Sequence, residues 1–195
     1  MNNLIKIEWL KIKKYPAFWW MLIIVMLTYP GINSMVYYGY KEVVNGKDMV
    51  NQVAKMVLGN PFAFPETWHS VAYLSSFFVL LPSILVIMLV TNEYNYKTHR
   101  QNIIDGWSRA EFITSKLIDV SIISSIVTLV YIIVAIGFGI YVDSIGWSRW
   151  AEQLEYIPLF FLQTFAQLSI AFLLGYLVKK AFIALGVFLF YYLIL

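Results

Sequence analysis

Long apolar runs broken by short polar stretches set the pattern of this chain. A helix that crosses a bilayer needs about 20 mostly apolar residues. Four segments reach that length: Ala17–Val36, interrupted by Pro30-Gly31; Val71–Thr91, with Pro82 inside; Ile113–Val142, long enough to tilt or to begin below the membrane surface; and Ile157–Val178, where Pro158 suits a first helical turn. A fifth run, Ala181–Leu195, ends the sequence. At 1.5 Å per residue it covers about 22 Å, short of the roughly 30 Å hydrocarbon core. It either stops partway or continues in the natural protein, and continuation is the expectation. The pattern predicts an all-α polytopic membrane protein. Residues 1–195 form a single transmembrane domain with about five spans, at 17–36, 71–91, 113–142, 157–178 and 181–195.

The connections carry the polar residues. Residues 1–16 mix Leu4, Ile5, Ile7, Trp9, Leu10 and Ile12 with Lys6, Lys11, Lys13 and Lys14. That mixture suits an amphipathic helix lying in the interface as an elbow before the first span. Lysines before an apolar run also open a signal peptide. No A-x-A-like cleavage site follows, and Thr28-Tyr29-Pro30-Gly31-Ile32-Asn33 comes instead, so the first span reads as uncleaved. The loop Tyr37–Ser70 contains Met49, Val53, Met56 and Val57 at helical spacing, opened by Asp48 and stopped by Gly59-Asn60-Pro61. The loop Asp143–Tyr156 places Trp147 and Trp150 where aromatic rings sit at headgroup level. Interfacial anchoring is the simpler role for both loops, and an outer lid is the alternative.

The segment 92–112 is polar but too patterned for a linker. Gly106 can end one short helix, and Ser108-Arg109-Ala110-Glu111 is a capping box that opens the next. The segment reads as helix, turn, helix. At 179–180, Lys179-Lys180 forms only a tight turn.

Composition sharpens the picture. The chain is 61% hydrophobic and 13% charged, against about 45–50% and about 25% for soluble domains, so lipid is the expected solvent. Orientation follows the basic residues of short loops. With the N-terminus inside, Lys6, Lys11, Lys13, Lys14, Lys97, Arg100, Arg109, Lys116, Lys179 and Lys180 are cytoplasmic, while Lys41, Lys47, Lys55 and Arg149 are outside. The sequence favours a cytoplasmic N-terminus.

Several chemistries are missing. There is no cysteine, hence no disulfide or thiolate metal site, and His69 and His99 form no paired-histidine motif. No P-loop occurs; Gly46-Lys47 lacks both the preceding glycine and the Ser/Thr, so any ATP used must be bound by a partner chain. No cofactor and no nucleic-acid partner are expected. No titratable group sits in the middle of a span, which predicts neither a proton relay nor a buried ion site; Lys116 and Asp119 can pair at one end of the third. Sodium held by backbone carbonyls stays open. Ser121, Ser125, Thr128, Ala135 and Gly139 make a small-residue stripe on the third span, read as a helix-packing face with a substrate-facing role as alternative. Gln163, Thr164 and Gln167 place polar groups in the fourth span, either for interhelical hydrogen bonds or for a translocation path.

These residues resemble type-2 ABC transporter permeases in their bacterial half-size form. The family's inner loop runs roughly E-x-x-x-[GK]-T-x-R, then G-x-[ST]-R, then K about seven residues on. Here it reads Glu93, Lys97, Thr98 and Arg100, then Gly106, Ser108 and Arg109, then Lys116. Glu8-Trp9-Leu10-Lys11 followed by Lys13-Lys14 resembles the family's opening, and the layout of elbow, long first outer loop and basic turn before a last hairpin is similar. Family members usually have six spans, and this chain stops within the fifth.

The resemblance implies a permease subunit of an ATP-driven exporter in the bacterial inner membrane. Two permease subunits, identical or different, would form the path for an amphipathic or hydrophobic substrate, and separate ATPase subunits would dock below. Glu93, Lys97, Arg100 and Arg109 would make polar contacts to the ATPase, Gly106 and Ser108 would fix the turn, and Thr98 and Lys116 complete the coupling set. An alternative is a passive membrane protein that binds a lipophilic peptide and confers immunity to it. A lipid-modifying enzyme fits least, since no nucleophile–base pair or metal cluster is apparent.

Overall fold

A computed structural model describes residues 2–46, 59–98, 104, 108–142 and 149–194. Its elements are α1 (Asn2–Lys14), α2 (Pro16–Asn45), α3 (Thr67–Ser76), α4 (Leu80–Asn95), α5 (Arg109–Val142), α6 (Tyr156–Val178) and α7 (Ala181–Ile194). Among the described residues there is no strand. The helical pattern at 49–57, Trp147, and Arg100 and Gly106 of the expected turn lie outside the described residues.

Three helices, α2, α5 and α6, are long and apolar enough to cross a membrane, and α3 with α4, bent by 47° at their break, has the length and apolarity of a fourth, broken span or of a re-entrant loop. This is the all-α polytopic fold the hydropathy predicts. The boundaries differ in two places. Helix α2 runs on through Pro30 to Asn45, past the expected end at Val36. Pro30 lacks an N–H, so the bond to the Met26 carbonyl is lost and its ring crowds that carbonyl, yet the helix continues on both sides. The second span, predicted as one helix, is interrupted between Ser76 and Leu80. Pro82 explains the position: its ring clashes with the carbonyl four residues back, at Phe78. At 14 residues α7 is shorter than a span.

The chain divides into two compact units. The first comprises Met1–Ile23, Val79–Val127 and Leu162–Leu195. Here α4 packs against α7. Gly175 of α6 faces Ile87 and Val90 of α4, with room for a Cβ at 3.5 Å from the Val90 side chain. The core includes Ile12, Phe18, Leu85, Ile87, Ile123, Leu168 and Phe188. Two lysines hold left-handed backbone just beyond helix ends, Lys97 after α4 (φ 58°) and Lys179 after α6 (φ 59°).

The second unit comprises Ile24–Phe78 and Thr128–Phe161. Aromatic rings fill it. Tyr131 stacks on Phe160 at 4.5 Å between centroids, and Trp68 meets Tyr131 edge-on. Polar atoms on these rings are tied down: Tyr131 Oη donates to the Trp68 carbonyl (2.9 Å), and Trp68 Nε1 to the Trp150 carbonyl (2.9 Å). Lipid tails are as apolar as the rings, so dispersion and hydrogen bonds, rather than expulsion of water, hold this unit together. From the small-residue stripe Thr128, Ala135 and Gly139 are buried here, as a packing face requires. Ser125, in the first unit, is exposed, and its hydroxyl donates to the Ser121 carbonyl one turn back (2.8 Å).

Candidate functional site

Helix α1 turns a carboxylate inward. Glu8 and Ile12 are buried one turn apart, while Lys6, Trp9, Leu10, Lys11, Lys13 and Lys14 are exposed. The exposed set, basic with two large apolar side chains, suits an interfacial surface. A buried carboxylate needs a cation with good geometry, and Lys116 of α5 supplies it.

Lys116 is the centre of a charge cluster drawn from three helices. Its ammonium lies 2.8 Å from Glu8 Oε2 of α1, 2.6 Å from Glu93 Oε1 of α4, and 3.0 Å from Asp119 Oδ2 one turn along α5. An ammonium has three N–H donors, and each finds a carboxylate. Lys11 closes the outer side, 2.8 Å from Glu8 Oε1 and 4.0 Å from Glu93 Oε1. The side chains of Lys116, Glu8 and Asp119 are 4%, 0% and 9% exposed. Burial alone would raise the Glu8 carboxyl, but Lys116 and Lys11 outweigh it and hold Glu8 below its ordinary value.

Beside the cluster lies an open cleft of about 410 Å³ lined by Lys11, Tyr15, Leu89, Asn92, Glu93, Tyr96 and Thr98. Asn92 Nδ2 donates to Tyr15 Oη (2.7 Å), a second tie between the root of α2 and α4. Burial raises the Tyr15 phenol, and the Asn92 bond opposes it.

The sequence-predicted residues separate into groups. Glu93 and Lys116 meet in the buried cluster, facing each other. Lys97 and Thr98 are exposed beyond the end of α4, where Thr98 Oγ1 donates to the Glu93 carbonyl (3.3 Å). Ser108 and Glu111 form the expected capping box. Glu111 Oε2 accepts from Ser108 N (2.8 Å) and Ser108 Oγ (2.9 Å), and Glu111 N donates to Ser108 Oγ (3.2 Å). Arg109 begins α5. In α6, Gln163 is exposed, Gln167 half-buried and Thr164 fully buried, so the three do not share one face.

Charge is absent from mid-span but present and buried at the helix ends, where Glu8, Lys116 and Asp119 sit inside protein. Glu8 and Asp119 were not among the expected site residues. Their signal was available: Glu8/Lys11 on α1 and Lys116/Asp119 on α5 are each opposite charges three apart.

Among the described residues no group of His, Asp and Glu side chains is placed to hold a metal ion. The carboxylates of the cluster are engaged by ammonium groups, which suits fixing helices together.

A family model described as ABC-2 family transporter protein matches residues 4–194. The chain belongs to this family. No curated protein and no solved structure matches it. As an ABC-2 family transporter protein it is a multi-pass membrane protein of a transport system. The match covers α1 through α7, and so includes the charge cluster, the capping box and the amides of α6.

Proposed function

We propose that this chain is the permease subunit of an ATP-driven exporter in the bacterial inner membrane. Its N-terminus and the segment 92–112 face the cytoplasm, and a separate ABC ATPase binds that segment and hydrolyses ATP. A second permease subunit completes the path for an amphipathic or hydrophobic substrate. Gln163 and Gln167, backed by Thr164, supply polar groups along it.

The observation that carries this reading is the Lys116 cluster. The coupling segment connects α4 to α5, and Lys116 joins the feet of both to α1. A push on that segment would therefore move α1, α4 and α5 as one body. Such a lever converts closure of an ATPase into helix tilting without any chemistry in the membrane subunit itself. Lys97, Thr98, Arg100 and Arg109 remain as the docking contacts, with Gly106 and Ser108 shaping the turn. Glu93 and Lys116 act from behind, holding the lever rather than touching the ATPase.

Mild-detergent purification of the chain from its native host tests the reading. A P-loop ATPase should co-purify stoichiometrically, with hydrolysis that depends on the complex. Arg109→Glu should reduce the co-purifying ATPase about tenfold while membrane insertion is unchanged. Intact co-purification and transport in that variant would defeat the coupling role. Absence of any ATPase across several detergents would favour a passive binding protein.

A further inference from the structure

Helix α1 has a second side that the Lys116 cluster leaves untouched. Lys6, Trp9 and Lys13 recur at helical spacing, which places them on one face, and all three are exposed. Among the described residues the Lys6 and Lys13 ammonium groups have no acidic partner, and the Trp9 indole N–H has no acceptor. The acids that could reach this side are spent elsewhere: Glu8 and Asp119 are both turned into the Lys116 cluster. Positive charge on this face is therefore uncompensated. Trp9 is also one wall of an open groove of about 520 Å³, completed by Ile118, Ser121, Ile122, Ser125 and Ile126 of α5. The two serine hydroxyls donate to the Leu117 and Ser121 carbonyls of their own helix, each at 2.8 Å, so the groove offers an apolar surface. From Ile118 to Ile126 it runs about 12 Å, within the roughly 15 Å of one leaflet of the hydrocarbon core. The wall is fixed in place: Trp9 meets the buried Phe18 edge-on at 6.4 Å, and Trp19 Nε1 donates to the Lys13 carbonyl (2.9 Å).

We infer that this groove holds one acyl chain of an anionic phospholipid, whose phosphate lies between Lys6 and Lys13 and accepts from the Trp9 indole N–H. Charge decides the occupant. A zwitterionic headgroup brings an ammonium of its own to two lysines that lack a counter-ion, whereas an anionic headgroup supplies the missing charge. Lys6 and Lys13 are about 10 Å apart along the helix axis, close enough for two extended lysine stems to converge on one phosphate. Interfacial lysines by themselves attract any acidic membrane surface. An apolar slot at the same place selects a single lipid molecule and orients it. Bound there, the lipid bridges α1 and α5 from outside, as Lys116 and Glu8 bridge them from inside. Helices α1 and α5 alone carry the site, so it requires neither an ATPase nor a second subunit.

Dioleoyl phosphatidylglycerol and dioleoyl phosphatidylcholine, offered in equal amounts to the full chain in mixed micelles, test the site, with bound lipid counted by native mass spectrometry. The expected result is one phosphatidylglycerol retained per 22.6 kDa chain. Lys6→Gln with Lys13→Gln should weaken its binding about thirtyfold, at roughly fivefold for each lysine. Lys179→Gln with Lys180→Gln removes the same charge from the exposed turn between α6 and α7 and should leave binding unchanged. Ser125→Phe fills the groove, keeps every lysine in place, and should abolish retention. Equal occupancy by the two lipids overturns the assignment, as does an equal loss in both lysine pairs, which would mean attraction to charge in general. Retention that survives Ser125→Phe would mean a headgroup held at the surface alone and also overturns it. ATPase co-purification is scored on the same samples. A chain that carries its ATPase but retains no phosphatidylglycerol defeats the lipid site alone, whereas retained lipid without an ATPase supports the site and defeats the permease reading.

Discussion

Lys116→Met is the sharpest perturbation of this protein, because three carboxylates from three helices depend on one ammonium. Methionine keeps an unbranched apolar stem one heavy atom shorter and removes the ammonium, both its charge and its three N–H donors. The environment sets the magnitude. Lys116 is 4% exposed, Glu8 0%, Asp119 9% and Glu93 16%, so water cannot replace the lost cation. Breaking a buried pair of this kind costs about 3–5 kcal/mol. A second route gives a similar figure. The cluster can relieve itself by protonating a carboxyl whose ordinary value is 4.5, which at pH 7 costs about 3 kcal/mol at roughly 1.4 kcal/mol per unit. Lys11 supplies little relief, since at 40% exposure its contact with Glu8 is screened by solvent.

The expected loss is therefore about 3–4 kcal/mol, read by titrating folded protein in mixed micelles with sodium dodecyl sulfate. Glu8→Gln removes one of three partners and should cost about 1.5–3 kcal/mol in the wild-type background. In the Lys116→Met background the same change removes a surplus negative charge, and should cost nothing or restore stability. A loss below about 1 kcal/mol for Lys116→Met, the value of an exposed pair, would refute the view that this cluster joins the helices.

Three further outcomes follow from the same geometry. Glu8 has a folded-state pKa below its ordinary 4.5, so it stays ionised in the folded chain at a pH where the unfolded chain has taken up a proton; stability present above pH 4.5 should fall as pH drops through the lower value. Glu8→Gln should flatten that limb of the acid titration. A Cβ at Gly139 would run into the buried Phe64 ring, so Gly139→Ala should destabilise by about 1–3 kcal/mol, whereas nothing lies within 4 Å of a Cβ at Gly137 and Gly137→Ala should be neutral or stabilising by thermal unfolding. Ser108→Ala removes the capping box, and hydrogen exchange at the first amides of α5, Glu111 and Phe112, should speed up several-fold while exchange beyond Lys116 is unchanged.

Helices α2, α5 and α6 were legible because a spanning helix is specified by length and apolarity alone, and neither depends on tertiary partners. Break points were less legible. Pro30 and Pro82 look alike in sequence, yet one is absorbed by a continuous helix and the other lies beside an interruption. The capping box could be read because its two residues are neighbours on the chain. The charge cluster could be read only by halves: Lys116 is three residues from Asp119 but 108 from Glu8. Local spacing finds the first pair, and only tertiary packing brings the other. Exposure of Gln163 and burial of Thr164, adjacent residues of one helix, depended equally on which neighbours α6 acquires.

The two left-handed lysines carry a consequence for how the chain is made. Lys97 and Lys179 occupy backbone that glycine adopts freely and that costs a residue bearing a Cβ about 1 kcal/mol. Equilibrium folding alone would favour glycine at both turns. In the proposed orientation both lysines lie on the inner side, where positive charge decides which way a nascent helix is threaded. That decision is made during synthesis, before either turn has formed. Glycine at 97 or 179 would yield a finished protein that resists unfolding better and a population of new chains more often inserted the wrong way round. The strained lysines belong to the history of the molecule, and a stability measurement on the mature protein would register only their drawback.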